Sequence, residues 1–355
     1  MRIADRMPHR LLRTGLALVI LSVLLGAGVA VAKYLHDVDN TNSLDAQPTD
    51  PASAGPGSQD PMASASASAS VSPSGTSSTK PGVTSGGARV VPSSFPNAAD
   101  TGVPAGVPLK AMTGVLVIRE NGTVIDAVNL VGKVVVAANN VTIKRSRITA
   151  PTNLPDKGRD EFTVIQQMTN VDGLVLQDCE LDGSGLVYRA VMASSHLSVT
   201  RCEMRNIGHG VEVGNDYTIQ DSWIHATTDG PDHDWHVDGI ISSNGVNGVI
   251  RHNTIVLTGD GMTGAVSVGS SLGRIDNVLI QGNLLAGGNY TVYIQDQGHP
   301  ATRIRVLDNL FSTMVGKKVG VYGVWYPNDQ PGDLVRQGNK VYETGVPADR
   351  EPNWG

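Results

Sequence analysis

From Asn140 onward the chain repeats one pattern of positions: apolar, any, apolar, two polar, small or Asn, any, apolar. It fits Val141 to Ile148, Leu174 to Leu181, Leu197 to Met204 and Tyr217 to Ile224. It then fits Gly248 to Ile255 and, slightly extended, Asn277 to Leu285, Arg303 to Phe311 and Asp333 to Val341. The sixth position falls at Ser146, Cys179, Cys202, Ser222, Asn253, Asn283, Asn309 and Asn339, at intervals of 33, 23, 20, 31, 30, 26 and 30 residues. A fixed strand separated by loops of variable length is the mark of a stacked solenoid. Period-2 alternation and β-branched residues make the repeated unit a strand. No amphipathic helix of ten or more residues fits between the strands, which removes horseshoe and βαβ architectures. The expected fold is all-β: a single-stranded right-handed parallel β-helix of about 8–10 coils.

Stacked coils place equivalent residues roughly 4.8 Å apart, so Asn253, Asn283, Asn309 and Asn339 are expected to hydrogen-bond up the stack as a structural ladder. Cys179 and Cys202 share a rung on successive coils. That spacing exceeds the usual Cβ–Cβ range for a disulfide, so two buried thiols are expected.

A second strand aligns Ala190–Ala193, Gly210–Val213, Asp238–Ile241, Ala265–Val268 and Thr291–Ile294. Alternation puts Val191, Val211, Val266 and Val292 inside, with Met192, Glu212, Asp238, Ser267 and Tyr293 outside. On this register Glu212 and Asp238 lie on neighbouring coils of one outer face.

The pattern stops before the repeats. Arg2, Arg6, Arg10 and Arg13 precede an uncharged apolar run from Gly15 to Ala32, the layout of a secretory signal with Ala30-Val31-Ala32 as its cleavage site. The run is also long enough for an uncleaved membrane helix with its basic flank in the cytoplasm. Residues 1–34 therefore read as a signal peptide or signal-anchor, and either form exports the remainder, leaving it extracellular. Residues 35–94 are dominated by Pro, Ser, Ala, Gly and Thr, including the tract from Ala63 to Ser70, and read as a disordered linker. Residues 95–355 are the repeat domain, expected to be monomeric.

Composition excludes some classes. Three Phe and four Trp against 41 Gly, with a net charge of −6, leave neither a bulky aromatic core nor a basic surface for nucleic acid. The two cysteines make no zinc-type spacing.

The repeats resemble the pectate-lyase-like superfamily, and more narrowly a group of actinobacterial exported β-helix proteins of largely unassigned function. The matching segments are Phe95-Pro96-Asn97 with Thr101-Gly102-Val103-Pro104-Ala105-Gly106, and Asp221-Ser222-Trp223-Ile224-His225. Trp235 to Ile240 and Ile250 to Ile255 complete the match, so the resemblance spans residues 95–345. It implies the β-helix fold and leaves activity open, because this fold hosts lyases, hydrolases, epimerases and adhesins. The motifs of polygalacturonase-type hydrolases match only in part: Gly208-His209-Gly210 precedes His236-Val237-Asp238-Gly239 instead of following it.

Chemistry concentrates in Asp229 to Asp238, with four carboxylates, two histidines and a Trp in ten residues. Asp238 with Glu212 is the first candidate carboxylate pair for acid/base work on a glycosidic bond. His236 and His209 are candidate proton carriers, and Arg189 is the candidate base in a lyase mechanism. Trp235 and Tyr293 are candidate sugar-stacking residues. No cofactor is required by this reading, but Asp232, Asp234 and Asp238 form a candidate Ca²⁺ site. Turn formation explains such a loop equally well. The leading expectation is an extracellular polysaccharide-processing enzyme, lyase or glycoside hydrolase, working along a groove on the helix flank. The alternative is a non-catalytic surface protein that binds glycan or cell-wall polymer through exposed aromatics such as Trp235, Tyr293, Tyr322 and Trp325.

Overall fold

The computed structural model describes residues 90–154, 162–225, 227–259 and 261–354, all within one compact unit, Thr84–Gly355. The expected signal or anchor and nearly all of the expected linker lie outside the described residues. Within them the chain is all-β, with 22 strands and no helix, and none of its elements is a helix long and apolar enough to cross a membrane.

Every pairing between strands is parallel, and each joins segments about one repeat apart. Gly245–Arg251 pairs with Ile275–Gln281, which pairs with Ala301–Leu307, which pairs with Val335–Gln337. Thr254–Val256, Leu284–Ala286, Leu310–Phe311 and Lys340–Val341 form a second stack. Val237–Ser242, Met262–Gly269, Tyr290–Gln295 and Gly323–Trp325 form a third. Earlier circuits merge these stretches into Glu180–Thr200 and Glu203–Gln220, which pair along most of their length. The core runs down the middle: Ile143, Leu176, Val199, Ile219, Ile250, Ile280 and Val306 occupy equivalent positions on successive circuits, all with 0% exposure.

The rung residues form the expected ladder. Asn253 donates its backbone N–H and its Nδ2 to Asn283 Oδ1 at 2.9 and 3.0 Å. Asn283 does the same to Asn309, and Asn309 to Asn339. Asp349 accepts from Asn339 at the last rung, at 2.8 Å. Toward the N-terminus the same place is taken by smaller residues, with Ser222 Oγ accepting the Cys202 N–H at 3.1 Å. Cys179 and Cys202 are both free and buried, as expected.

The residue before each rung has a left-handed backbone: Arg145, Asp178, Arg201, Asp221, His252, Gly282, Asp308 and Gly338, with φ between 46° and 74°. One such residue turns the chain sharply between two strands and aims the next side chain inward at the ladder. Only Gly takes this conformation freely. Six of these eight are not Gly, so the corner is held by the surrounding pairing against local preference.

Candidate functional site

The second strand keeps the expected register on the aligned circuits except that of Asp238–Ile241, which is displaced by one residue. Met192 pairs with Glu212, Glu212 with Ile241, Ile241 with Ser267 and Ser267 with Tyr293. Glu212 therefore lies beside Ile241. Asp238 stands three residues earlier, opposite Gly264 and on the circuit after His209. Small residues cause the shift: Gly210 and Gly239 stack, and a Cβ on Gly210 would sit 2.4 Å from the Gly239 oxygen. Gly239 and Ile240 are consecutive buried positions, which breaks strict alternation, and the register slips between Val237 and Asp238. The expected inward set is found, since Val191, Val211, Val266 and Val292 are all fully buried.

This register draws Asp238 into a covered cluster instead of an open flank. The side chain is 1% exposed. Its Oδ1 accepts a hydrogen bond from Ser267 Oγ, and its backbone N–H donates to His209 Nδ1 at 3.0 Å. Arg189, in register with His209, donates from Nε to Glu212. The Arg189 guanidinium also lies 4.5 Å from the centre of the Tyr188 ring, and that ring is 4.5 Å from His209. Five candidates from three circuits thus meet: Arg189, His209, Glu212 and Asp238, with His236 at the rim.

Burial sets the protonation of this cluster. It pushes Asp238 up from 3.8 to about 7, aided by the charge of Glu212 and opposed by the Ser267 and Gly264 hydrogen bonds. Burial pushes His209 down to about 3, aided by Arg189 and His236. His209 is therefore a neutral imidazole that accepts at Nδ1, leaving its proton on Nε2. It orients Asp238 and carries no charge near neutrality. His236 is exposed, with Nδ1 3.4 Å from Thr263 Oγ1.

The expected sugar-stacking role of the tryptophans is corrected. Trp235 is 7% exposed and packs 5.4 Å from Tyr188. The glycines at 208 and 230 leave room for its ring, since a Cβ at either would fall within 3.2 Å of it. It supports the cluster and offers no stacking face. Trp325 is likewise buried, its Nε1 donating to the Ala348 oxygen at 2.8 Å. Of the candidate Ca²⁺ ligands, Asp232 and Asp234 are exposed while Asp238 is buried against Ser267. Among the described residues no group of three or more His, Cys, Asp or Glu is arranged to hold a metal.

The aromatic surface lies elsewhere. Tyr293 and Tyr326 stack at 4.7 Å, and Tyr290 contacts both as well as Tyr322 at 5.6 Å. Tyr322 is 61% exposed. Burial, aided by the charge of Asp238, pushes the Tyr293 phenol up to about 12. Beside these rings is a cavity of about 720 Å³ lined by Met262, Asn289, Lys317, Lys318 and Val321, among others. The strand Met262–Gly269 connects the two places, lining the cavity with Met262 and facing Asp238 with Gly264 and Ser267. Sequence reading had no role for Ser267, Tyr188, Tyr290 or Tyr326. The spacing of Tyr290 and Tyr293 within one short strand was the available signal.

No family model matches this chain. No curated protein and no solved structure matches it either.

Proposed function

We propose that this protein is an exported polysaccharide-cleaving enzyme of glycoside hydrolase type, built on a right-handed parallel β-helix. The handedness follows from the near-universal right-handed sense of parallel crossovers. Export follows from the basic and apolar N-terminal run. The observation that carries the activity is the pairing of unlike carboxyl environments: Asp238 is buried, feels the charge of Glu212 and has its pKa raised to about 7, while Glu212 is held in an ion pair with Arg189. Environments that separate two carboxyls in this way divide the roles of acid and base. Asp238 donates its proton to the leaving oxygen as the glycosidic C–O bond breaks, and Glu212 takes the proton of the water that attacks the sugar carbon. Arg189 is engaged by Glu212, so it positions Glu212 and serves poorly as a lyase base. The tyrosines around Tyr293 supply flat faces for sugar rings.

A non-catalytic glycan binder is the second reading, favoured by the same tyrosines and by the depth of Asp238. The test incubates the chain with a panel of neutral and acidic polysaccharides, with and without Ca²⁺, following reducing ends and the ultraviolet absorbance of unsaturated products. Asp238→Asn and Glu212→Gln are each expected to reduce release of reducing ends by about 10²–10⁴-fold, with activity falling above pH 7. Unsaturated products would make it a lyase. Retention on glycan columns without cleavage of any polymer would make it a binder, and the Ca²⁺ arm reports on Asp232 and Asp234.

A further inference from the structure

Residues 92–104 form no strand, and they lie across the circuits instead of along one. At one end the Phe95 ring stacks on His252, with centroids 5.7 Å apart and planes 29° apart, and the Ser94 carbonyl oxygen is 3.0 Å from His252 Nε2. At the other end the Gly102 N–H donates to the Arg201 oxygen at 2.9 Å. Gly102 also lies so close to Glu180 that a Cβ would meet its Cγ at 2.7 Å. Between the two ends Asn97 folds the strap on itself, through Phe95, Ala99 and Thr101. The strap thus crosses three circuits, with Phe95 9% exposed.

What it lands on is the column of left-handed corner residues. Read up the stack, that column alternates in charge: Arg145, Asp178, Arg201, Asp221, then His252. Arg201 Nε is 2.7 Å from Asp178, and His252 Nδ1 is 2.7 Å from Asp221. A cation at position 252 continues the alternation. The ring's hydrogen bonds demand one as well. Nδ1 faces a carboxylate and Nε2 faces a backbone carbonyl, and both partners only accept. A neutral imidazole has a single N–H, so it makes one of these bonds and sets a lone pair against the other acceptor. The imidazolium makes both.

We propose that His252 is a pH-operated latch for the N-terminal strap: charged, it pins residues 92–102 to the corner column, and on losing its proton it lets them go. The groups that face it are Asp221 across the corner and Arg251 on its own strand, with the Ser94 carbonyl and the Phe95 ring from the strap. Arg201 stands on the far side of Asp221, and Glu180 lies beneath Gly102. Burial and Arg251 oppose the charge. The bonds to Asp221 and Ser94 outweigh them, so the pKa sits above its ordinary 6.5. With the docked pKa raised, the latch contributes fully below pH 6.5 and its contribution is lost as pH rises through the docked value. Deprotonation frees the junction between the linker and the repeats, with no change in the repeats themselves. The inference is independent of the proposed enzymatic activity.

Hydrogen exchange of the full chain, read by mass spectrometry at pH 5.5, 7.0 and 8.5 and corrected for intrinsic rates, tests it. Protection of the Phe95, Thr101 and Gly102 amides is expected to fall about tenfold or more between the lowest and highest pH. Amides of Ile275–Gln281, inside the stack, are expected to hold constant and report that the fold is intact. His252→Gln, with neutral donors only, is expected to give low protection of the strap at every pH. His252→Arg is expected to keep protection at pH 8.5. Strap protection that does not change with pH in the wild type, or that keeps its pH dependence in His252→Gln, overturns the proposal.

Discussion

Replacing Asn283 by Ala tests whether the ladder stabilises the stack. Asn283 is fully buried and takes part in four side-chain hydrogen bonds. Its Nδ2 donates to the Ile250 oxygen at 3.0 Å and to Asn309 Oδ1 at 2.9 Å, and its Oδ1 accepts from Asn253 N and Nδ2. Truncation leaves the Asn253 backbone N–H without an acceptor and one Nδ2 hydrogen of Asn253 unpaired. Asn309 Oδ1 keeps the Asn283 backbone donor. Two newly orphaned buried donors at about 1–3 kcal/mol each give a loss of about 2–6 kcal/mol. That is a large share of the about 5–15 kcal/mol that stabilises a typical domain. The assay is urea unfolding of the chain, comparing midpoints among three variants. Asn283→Ser should lose about half as much as Asn283→Ala, because a hydroxyl can accept from the preceding rung, as Ser222 does for Cys202. Gln281→Ala, which removes an exposed bond to Asp308, should lose about 0.5 kcal/mol or less. If Asn283→Ala costs no more than Gln281→Ala, the ladder is not what stabilises the stack.

Two further predictions concern buried titratable groups. Asp238 has a folded pKa raised to about 7 from 3.8, so its contribution is full below pH 3.8 and lost as pH rises to 7; His209 has one lowered to about 3 from 6.5, so its contribution is present above pH 6.5 and lost as pH falls toward 3. Each change amounts to about 4 kcal/mol and the two oppose, so urea midpoints should be nearly flat from pH 4 to 6.5 in the wild type. They should rise with pH in Asp238→Asn and fall in His209→Gln, and equal profiles in all three proteins would refute the assignment. Cys179 and Cys202 are 0% exposed, and burial pushes the Cys202 thiol up, so a thiol reagent should label neither in the native state and both after unfolding. A protein in which neither reacts after unfolding would instead hold a disulfide.

The ladder was legible in the sequence because one side chain does one job at a fixed place, so Asn253, Asn283, Asn309 and Asn339 announce themselves. The corner before each rung was not. Arg145, Asp178, Arg201, Asp221 and His252 share a backbone conformation and no chemistry, and Gly282 and Gly338 alone hint at it. The same difference governs the candidate site. Residues 229–238 drew the eye because charge is dense there, yet the exposed Asp232 and Asp234 have no part in the cluster around Asp238. That cluster is assembled from Arg189, His209, Glu212 and Ser267, which are scattered in sequence and meet only through register. Register in turn depends on Gly210 and Gly239, whose missing side chains let backbones approach, so that Ile241 in place of Ile240 pairs with Glu212 and Asp238 stands three residues from that pairing. A repeat pattern fixes which residues point inward, because burial selects for them on every circuit. It fixes poorly which outward residues meet across circuits, because two small residues can slide one strand while leaving the apolar pattern intact.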